Sequence, residues 1–442
     1  MVGLVAGEWL GLEYDLVLED RADVSIALAG AAGEIRVADE FLAGEPAVRP
    51  RPELRPAEPL AAWSVDGTLP APALVDDQLP VISGRELEHG SYARADGDTV
   101  ELGLDVFGSV FFMVSRYEEV VSHGEDEHGR FPAESSLAVR AGFADRPLVN
   151  EYVEILWAAM RRLWPALERK ERRYRFLPSH DIDFPFCREM SAAQLVKRLG
   201  ADVVVRRNAR LARTRLRAYG SRPPRDLCDT YDELMTLSEE AGTTSTFYFF
   251  GENSGRDIDA DYDPFEPRIQ RVLRRIGERG HAIGLHATYD SLRDAAALRR
   301  QRERLQAACA EAGVEQEHWG SRHHYLRFRA PDTWRALDAA GFDHDSTVGY
   351  SSIGGFRAGC CYEYPVYDLE SRTQLRLRER PLVIMEVALL DRQRLGHERV
   401  VQRARLLRDR CRLVGGDFTL LWHNSRLQTH ADADAYRTIV RS

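Results

Sequence analysis

Two aspartates stand close together at the end of a mostly apolar run, in the segment 179–184, Ser-His-Asp-Ile-Asp-Phe. If residues 174–183 form a β-strand, the alternation of its side chains places Asp181 and Asp183 on the same face at its carboxyl end. Two carboxylates held side by side repel each other and lose water, so they call for a cation, a shared proton or a catalytic task. The alternative is a solvated, aspartate-rich turn.

A histidine downstream offers a second ligand for a metal site. His286 ends the segment 280–286, Gly-His-Ala-Ile-Gly-Leu-His, in which the glycines allow close approach of the backbone. Asp183, His286 and one further imidazole would form a facial site with open positions, which suits zinc or another divalent ion. A single histidine at a strand end is also commonly satisfied by a hydrogen bond, so both interpretations of His286 are kept.

From residue 174 onward the sequence predicts strands alternating with helices, which are the elements that must position these side chains. The strand candidates are residues 174–183, 245–250, 282–288, 319–328, 342–347, 382–387 and 418–423. The helix candidates are residues 229–241, 267–279, 292–312, 331–340 and 398–414. Strands that are mostly followed by a helix predict an α/β fold with a parallel (β/α)7-type barrel, complete or open.

Nearly every strand candidate ends in polar or ionisable residues. They are Asp181, Asp183, Glu252, Asn253, His286, Arg322, His323, His324, Asp345, Glu386, His423 and Asn424. In parallel barrels the carboxyl ends of the strands build one shared site, so we expect these residues to converge. His180 and His323 alternate with the proposed site residues along their strands and are expected to be structural.

Residues 1–172 are expected to form a separate, smaller α+β domain in front of the barrel at residues 173–442. Its strand candidates are residues 23–28, 34–38, 60–63 and 73–75, and its helix candidates are residues 105–121 and 149–167. The proline-rich stretch 46–59 is typical of a surface loop, and the charged run 168–173 marks the boundary.

Composition excludes several classes of protein. The chain of 442 residues has a formal net charge of -10 and a pI near 5.8, which argues against nucleic-acid binding over its whole surface. No stretch has the apolar length and flanks of a signal peptide or a membrane span, so we expect a cytoplasmic protein. The 6 cysteines form no CxxC pair, and we expect reduced, mostly buried thiols.

An insertion at about 188–225, between the first barrel strand and its helix, is strongly basic. Its cations include Lys197, Arg198, Arg206, Arg207, Arg210, Arg213, Arg215 and Arg217. One interpretation is a solvated helical hairpin on the barrel rim. The other is a lid for a substrate that bears phosphate or carboxylate, or a peripheral contact with an anionic membrane.

Four motifs, in this order along the chain, resemble those of the polysaccharide deacetylase family, the NodB-like carbohydrate esterases. They are the paired aspartates, the segment that ends at His286, the step Arg322-x-His324-Tyr325, and the late Leu421-Trp422-His423. The chain is also similar to a subgroup from bacterial polysaccharide gene clusters, in which a domain of uncharacterised role precedes the deacetylase domain. The segment 107–119 resembles that domain's signature. The resemblance implies a distorted or open barrel with metal-dependent deacetylase activity.

The resemblance also implies a role for each motif residue. Asp181 would be the general base toward the attacking water, Arg322 would orient it, and His423 would be the general acid toward the leaving amine. Asp183 and His286 would hold a divalent metal, zinc in the first place, with cobalt or nickel as alternatives. Glu386 is expected to hydrogen-bond a site residue rather than to act directly.

The sequence departs from the family pattern at the third metal ligand. The family's second motif has another histidine four residues after the first, and that position here is Asp290. His324 stands where the family has proline, and we favour it because imidazole binds zinc well, whereas a second carboxylate would weaken the Lewis acidity of the metal. The segment 356–361, which ends in two cysteines, is also unfamiliar and is expected to be pocket wall or core rather than a nucleophile.

These features predict a hydrolase that removes an N-acyl group, acetyl in the first place, from an amino sugar. The expected partner is an amino-sugar glycan or a nucleotide-linked or lipid-linked precursor. One alternative is a hydrolase of another amide or ester on the same scaffold. The other is a non-catalytic glycan-binding or assembly protein, which the altered second motif favours.

Overall fold

The computed structural model describes residues 1–41, 50–65, 67–122, 124–186, 192–204, 209–220 and 226–442. Its amino-terminal part is a smaller α+β domain. Strands β1 to β6 span Asp23–Ala27, Glu34–Ala38, Ala61–Ser64, Gln78–Val81, Ala93–Asp96 and Thr99–Leu102, and helices α1 to α4 span Val106–Val114, Tyr117–Val121, Leu137–Arg140 and Leu148–Leu163. β1, β2, β6 and β5 form one sheet in that order, and β3 and β4 form an antiparallel pair.

Local signals decide where the elements of this domain begin and end. The Asp105 carboxylate accepts a hydrogen bond from the Gly108 N–H at 2.7 Å and so caps the start of α1. The periodicity of residues 105–121 predicts one helix, but Arg116 adopts a left-handed backbone conformation with φ of 55° and separates α1 from α2. The strand predicted at residues 73–75 is also wrong, because the chain enters a strand only at Gln78.

The second part of the chain forms a curled sheet of nine strands. Strands β7 to β15 span Arg175–Asp181, Thr246–Phe249, Ala282–Ala287, Gly320–His323, His344–Asp345, Tyr364–Asp368, Thr373–Glu379, Ile384–Met385 and Asp417–Leu421. Their order is β12-β13-β11-β10-β9-β8-β7-β15-β14. Pairing is parallel except between β12 and β13. The sheet is therefore an open half-barrel, and its parallel strands bring their carboxyl ends to one edge.

Helices pack against this sheet and connect its strands. Helices α5 to α12 span Ala192–Val204, Ala209–Gly220, Tyr231–Glu240, Pro267–Glu278, Ala295–Glu311, Asp332–Ala340, His397–Leu413 and His430–Arg441. α5 and α6 pack on each other, as the predicted helical hairpin of the basic insertion requires, although Arg206 and Arg207 lie outside the described residues. None of the helices among the described residues has the length and apolar content needed to cross a membrane.

The structure confirms a strand at each of the seven predicted positions, but the sheet contains two further strands. β12 and β13 were not predicted, and they extend the sheet beyond β11. β13 alternates exposed Gln and Arg with buried Leu377 and Glu379, so its apolar content is too low to be recognised from the sequence. The strand predicted at residues 319–328 ends at His323, where the chain enters an irregular turn.

The cysteines only partly follow the prediction of reduced thiols. Cys309, Cys360, Cys361 and Cys411 are free and buried, in agreement with that prediction. Cys228 is disulfide-bonded, which corrects it, and Cys187 lies outside the described residues. Burial raises the pKa of the Cys360 and Cys361 thiols, which pack beside Asn150 of α4, so both belong to the core and not to a nucleophilic site.

A buried ion network joins the amino-terminal domain to the half-barrel. Arg357 donates through Nε and Nη2 to the two Glu119 oxygens, each at 2.8 Å, and Arg116 Nη2 donates to Glu119 Oε1 at 2.8 Å. Glu118 accepts from the Leu137 N–H at 2.8 Å. Buried charges persist only when they are paired and hydrogen-bonded, so this network holds the two parts in one fixed arrangement.

Replacing Arg357 by alanine should lower the free energy of unfolding by about 3–5 kcal/mol, because Glu119 would stay buried with only one of its two cations. Urea denaturation of the full chain measures the change. Arg173→Ala is the control, since Arg173 pairs with Glu171 at 3.1 Å on the surface, with side chains 81% and 75% exposed, and should leave the midpoint unchanged. Equal effects of the two substitutions would contradict a structural role for the network.

Candidate active site

Three predicted ligands lie together where β7, β9 and β10 end. Asp183, His286 and His324 each offer one ligand atom, and these atoms all lie within 4.8 Å of one another. Asp183 Oδ1 is 3.2 Å from His286 Nε2 and 3.8 Å from His324 Nε2. One carboxylate and two imidazoles are a donor set that suits zinc and other divalent ions.

The far nitrogen of each imidazole is tied to the protein. His286 Nδ1 donates to the carbonyl oxygen of Arg322 at 2.9 Å, and His324 Nδ1 donates to Asp259 Oδ1 at 2.8 Å. Both partners can only accept, so Nε2 of each ring is left free to face Asp183. Metal-binding histidines are commonly oriented in this way.

Sequence reasoning missed Asp259. This buried residue also accepts hydrogen bonds from Ser254 Oγ at 2.7 Å and from the Tyr289 N–H at 3.0 Å. It lies in the loop after β8, where Asp257, Asp259, Asp261 and Asp263 alternate with other residues. An acid-rich loop that directly follows a predicted parallel strand is the signal that could have identified it.

The protein alone leaves the ligand atoms unsatisfied. Among the described residues, Asp183 Oδ1 and His286 Nε2 are buried and have no hydrogen-bond partner. Burial opposes ionisation of Asp183, but His324, His286 and His423 outweigh it and hold the pKa of this carboxyl well below its usual range. Burial also opposes a charge on His286, yet Asp181 and Asp183 raise the pKa of its imidazole. Buried acceptor atoms that attract positive charge fit a divalent cation.

Asp290 does not take part in this group. Its side chain is 61% exposed and forms an ion pair with Arg256. Of the two alternatives for the third ligand, the structure therefore places His324, and not Asp290, beside Asp183.

Asp181 is held next to the ligand group by Arg322. Arg322 Nη1 donates to Asp181 Oδ1 at 3.0 Å and to Ser179 Oγ at 2.8 Å. The guanidinium is fully buried, donates to the carbonyl and hydroxyl of Ser346, and lies 4.4 Å from the centroid of the Tyr248 ring. Asp181 Oδ2 is 3.8 Å from His286 Nε2, so one carboxylate oxygen is fixed by arginine while the other faces the site.

His423, which follows β15, also lies beside the ligand group. Its Nδ1 donates to Glu386 Oε1 at 2.6 Å, and its Nε2 lies 3.6 Å from Asp183 Oδ2. Burial opposes protonation of His423. The negative charge of Glu386, its hydrogen bond to the ring, and the charges of Asp183 and Asp181 outweigh burial and raise the pKa of His423 to about 9. The Glu386 side chain is fully buried, so the pair provides a protonated imidazole near neutral pH.

The two histidines expected to be structural lie away from the ligand group. His180 contacts the Trp422 carbonyl at 2.7 Å and Ser245 Oγ at 3.1 Å, and burial lowers its pKa to about 3. His323 is fully buried, and burial lowers its pKa to about 3 as well. Both rings are therefore neutral parts of the core.

A cavity of about 290 Å³ opens beside the site. Its lining joins Asp183 and His423 to Leu211 and Arg215 of α6 and to Arg426. The basic hairpin thus borders the site, and its Arg215 pairs with Asp202 of α5 at 2.6 Å.

Comparison with known proteins gives weak matches only. A model of a family of unknown function (DUF7033) matches residues 4–165. This range contains the segment 107–119 whose resemblance to an amino-terminal signature was noted from the sequence. No curated protein matches the chain.

Solved structures similar to the chain are distant. A Mycobacterium smegmatis protein described as a polysaccharide deacetylase has 17% identity and a TM-score of 0.39, over 62% of this chain and 84% of that chain. The PuuE allantoinase has 10% identity and a TM-score of 0.36, over 61% and 83%. A Pseudomonas aeruginosa PAO1 protein described as a polysaccharide deacetylase has 13% identity and a TM-score of 0.36, over 61% and 83%. At this distance the neighbours carry no information on substrate or mechanism.

Metal titration separates His324 from Asp290 as ligands. We expect the wild type to bind Zn²⁺ tightly, and His324→Ala to weaken binding strongly because an imidazole ligand is lost. Asp290→Ala should bind Zn²⁺ as the wild type does, since Asp290 pairs with Arg256 outside the group. Isothermal titration calorimetry measures both variants, and tight binding by His324→Ala with loss in Asp290→Ala would reverse the assignment.

Replacing Glu386 by glutamine should lower the pKa of His423 from about 9, because a neutral amide cannot stabilise the imidazolium charge. NMR titration of labelled histidine in the metal-free protein measures it. Because the folded pKa lies above the ordinary 6.5, His423 stabilises the fold below about pH 6.5, and this contribution is lost as the pH rises toward 9. Glu386→Gln should therefore reduce the fall in the free energy of unfolding between about pH 6.5 and 9.

Asp391→Asn is the matched control for this titration. Asp391 belongs to the segment just after Glu386 but pairs with Arg426, and its side chain is 45% exposed. An unchanged pKa of His423 in Glu386→Gln would show that Glu386 does not set the charge of the imidazole.

Proposed function

We propose that this chain is a metal-dependent hydrolase that removes an N-acetyl, or another N-acyl, group from an amino sugar. The observation that carries the proposal is the juxtaposition of Asp181 and His423 with a carboxylate-and-two-histidine group. That juxtaposition supplies a base, an acid and a metal-binding donor set within a few ångströms of one another. Metal-assisted amide hydrolysis uses all three.

Asp181 is suited to act as the general base. Arg322 binds its Oδ1 and keeps the carboxylate oriented, while Oδ2 faces the site. A carboxylate in this position can accept a proton from a water molecule that attacks the acyl carbon. Arg322 is a positioning residue, since its guanidinium is covered by Ser179, Ser346 and Tyr248 and acts through Asp181.

His423 is suited to act as the general acid. Glu386 holds the Nδ1–H and favours the protonated ring, so Nε2 carries a proton toward the site. The amine nitrogen of an amide must be protonated as the carbon–nitrogen bond breaks, and an imidazolium beside the acyl group can donate that proton.

Asp183, His286 and His324 would hold the metal, for which zinc is the first candidate and cobalt and nickel are alternatives. A divalent ion there would lower the pKa of water and polarise the acyl oxygen. Asp259 and the Arg322 carbonyl orient the two imidazoles so that both face Asp183.

The cavity beside the site supports an amino-sugar precursor that carries a negative charge. Arg215 and Arg426 line it, and α6 also carries Arg210, Arg213 and Arg217. A nucleotide-linked or lipid-linked N-acetylated sugar would place its phosphate toward these cations. If the substrate is lipid-linked, the basic hairpin formed by α5 and α6 would also contact the membrane surface.

The test is acetate release from free, nucleotide-linked and lipid-linked N-acetylated amino sugars by the zinc-loaded chain. Asp181→Asn should keep its zinc and lose about 10²- to 10⁴-fold in kcat, because the general base is removed while the ligands remain. Asp290→Asn is the matched control and should keep wild-type activity. Zinc binding without acetate release from any sugar, but with cleavage of chromogenic acyl esters, would replace this proposal by a hydrolase of another amide or ester. Zinc binding without hydrolysis of either kind would leave a glycan-binding protein.

A further inference from the structure

The metal ligand His324 lies on an unusual turn. The two residues that follow it, Tyr325 and Leu326, have φ values of 62° and 51°, in the left-handed region that side chains disfavour. Such a conformation persists only where the surrounding structure enforces it. The position of the third ligand therefore depends on whatever holds Tyr325 and Leu326 in place.

One hold on this turn comes from the amino-terminal domain. Arg130 Nη1 donates to the carbonyl oxygen of Tyr325 at 2.8 Å. Arg130 is 8% exposed and Tyr325 is 36% exposed, so this hydrogen bond is partly buried. Although Arg130 and Tyr325 are separated by 195 positions along the chain, they are in direct contact in the fold.

The segment that carries Arg130 is itself tightly ordered by Asp126. Asp126 Oδ1 accepts from the His128 N–H at 2.9 Å and from the Arg130 N–H at 3.0 Å, and Oδ2 accepts from Arg130 Nε at 2.8 Å. The Arg130 carbonyl accepts from the Asp126 N–H at 2.9 Å. Arg130 thus offers its outer nitrogen to Tyr325 from a preformed loop, with little freedom left to lose.

His128 of the same loop supports the other side of the turn. Its ring lies 4.5 Å, centroid to centroid, from the Tyr325 ring, and its Nδ1 lies 3.1 Å from Tyr289 Oη. The His128 carbonyl accepts from Arg327 Nε at 2.8 Å. The loop therefore contacts the turn both at Tyr325 and immediately after Leu326.

We propose that the amino-terminal domain completes the metal site, and that Arg130 is a positioning residue for the ligand His324. The inference rests on the proposed metal-dependent function. When Arg130 holds the Tyr325 carbonyl, the left-handed turn keeps His324 Nε2 aimed at Asp183. Without that hydrogen bond the turn relaxes toward ordinary backbone angles, and the third ligand leaves its place. This gives the domain matched by a family of unknown function a definite task.

The test compares Zn²⁺ affinity in the full chain for the wild type, Arg130→Ala, Arg130→Lys and Arg169→Ala, by competition with a chromophoric chelator. Arg130→Ala should bind Zn²⁺ about 10- to 100-fold more weakly, the usual loss when a residue behind a metal ligand is removed. Arg130→Lys should have a Zn²⁺ affinity between those of the wild type and Arg130→Ala. Lysine keeps a donor for the Tyr325 carbonyl, but it cannot also donate to Asp126 as the guanidinium does. The absorption spectrum of the Co²⁺-loaded Arg130→Ala protein should change, which a general loss of stability would not cause.

Arg169→Ala is the matched control. Arg169 also forms a two-pronged ion pair in the amino-terminal domain, with Glu154 of α4 at 2.7 and 3.1 Å, and neither residue belongs to the loop that contacts the turn. It should keep wild-type Zn²⁺ affinity and an unchanged Co²⁺ spectrum. If Arg130→Ala does not fold, His128→Ala replaces it, with weaker Zn²⁺ binding expected for the same reason.

Two results separate this inference from the proposed hydrolase. Wild-type Zn²⁺ affinity and an unchanged Co²⁺ spectrum in the folded Arg130 or His128 variant would overturn it, whatever the activity. The expected loss of affinity together with no acetate release by the wild type would support the positioning role and reject the deacetylase.

Discussion

The repulsion between two carboxylates at the carboxyl end of β7 is the constraint on which the site depends. Asp181 is buried and Asp183 is half-buried, and both face His286, so each needs its own source of positive charge. For Asp181 that source is the buried Arg322 guanidinium at 3.0 Å. For Asp183 it is the surrounding imidazoles, which lower its pKa but leave its Oδ1 without a hydrogen bond. The different partners explain why one aspartate is suited to move protons and the other to hold a cation.

The need to bury Arg322 extends this constraint into the sheet. Its guanidinium lies over the Tyr248 ring, and that ring occupies the space beside Gly284, where a Cβ would stand 2.5 Å from the ring carbons. Gly284 on β9 thus makes room for the Tyr248 ring on β8, and this ring supports Arg322 on β10. Arg322 in turn pairs with Asp181 on β7. A parallel sheet makes such a chain of contacts feasible because residues from successive strands meet at one edge.

The sequence was sufficient to predict seven of the nine strands in the half-barrel sheet and the polar residues at their ends. Strand alternation predicts the shared face of Asp181 and Asp183, and parallel topology predicts the convergence of His286, Arg322 and His423 with them. It favoured His324 over Asp290 on ligand chemistry alone, because the position of His324 depends on an irregular turn with no periodic signal. The same limit applies to Asp259, which lies in a loop, and to Arg116, whose left-handed backbone accompanies an ion pair with Glu119, itself paired with Arg357 from a distant part of the chain.

The departure from the family pattern and the extra domain have a common physical explanation. In the pattern that the sequence resembles, the two histidine ligands stand four residues apart on one stretch of chain, which fixes them relative to each other. Here the position of the second is taken by Asp290, and the proposed imidazole ligand, His324, stands instead on a turn after β10 whose next two residues are left-handed. Such a turn does not hold itself in place. A ligand on it depends on the surrounding structure, and the amino-terminal loop with Arg130 and His128 lies against it. The buried network around Glu119 fixes that domain on the half-barrel, so the support has a rigid base.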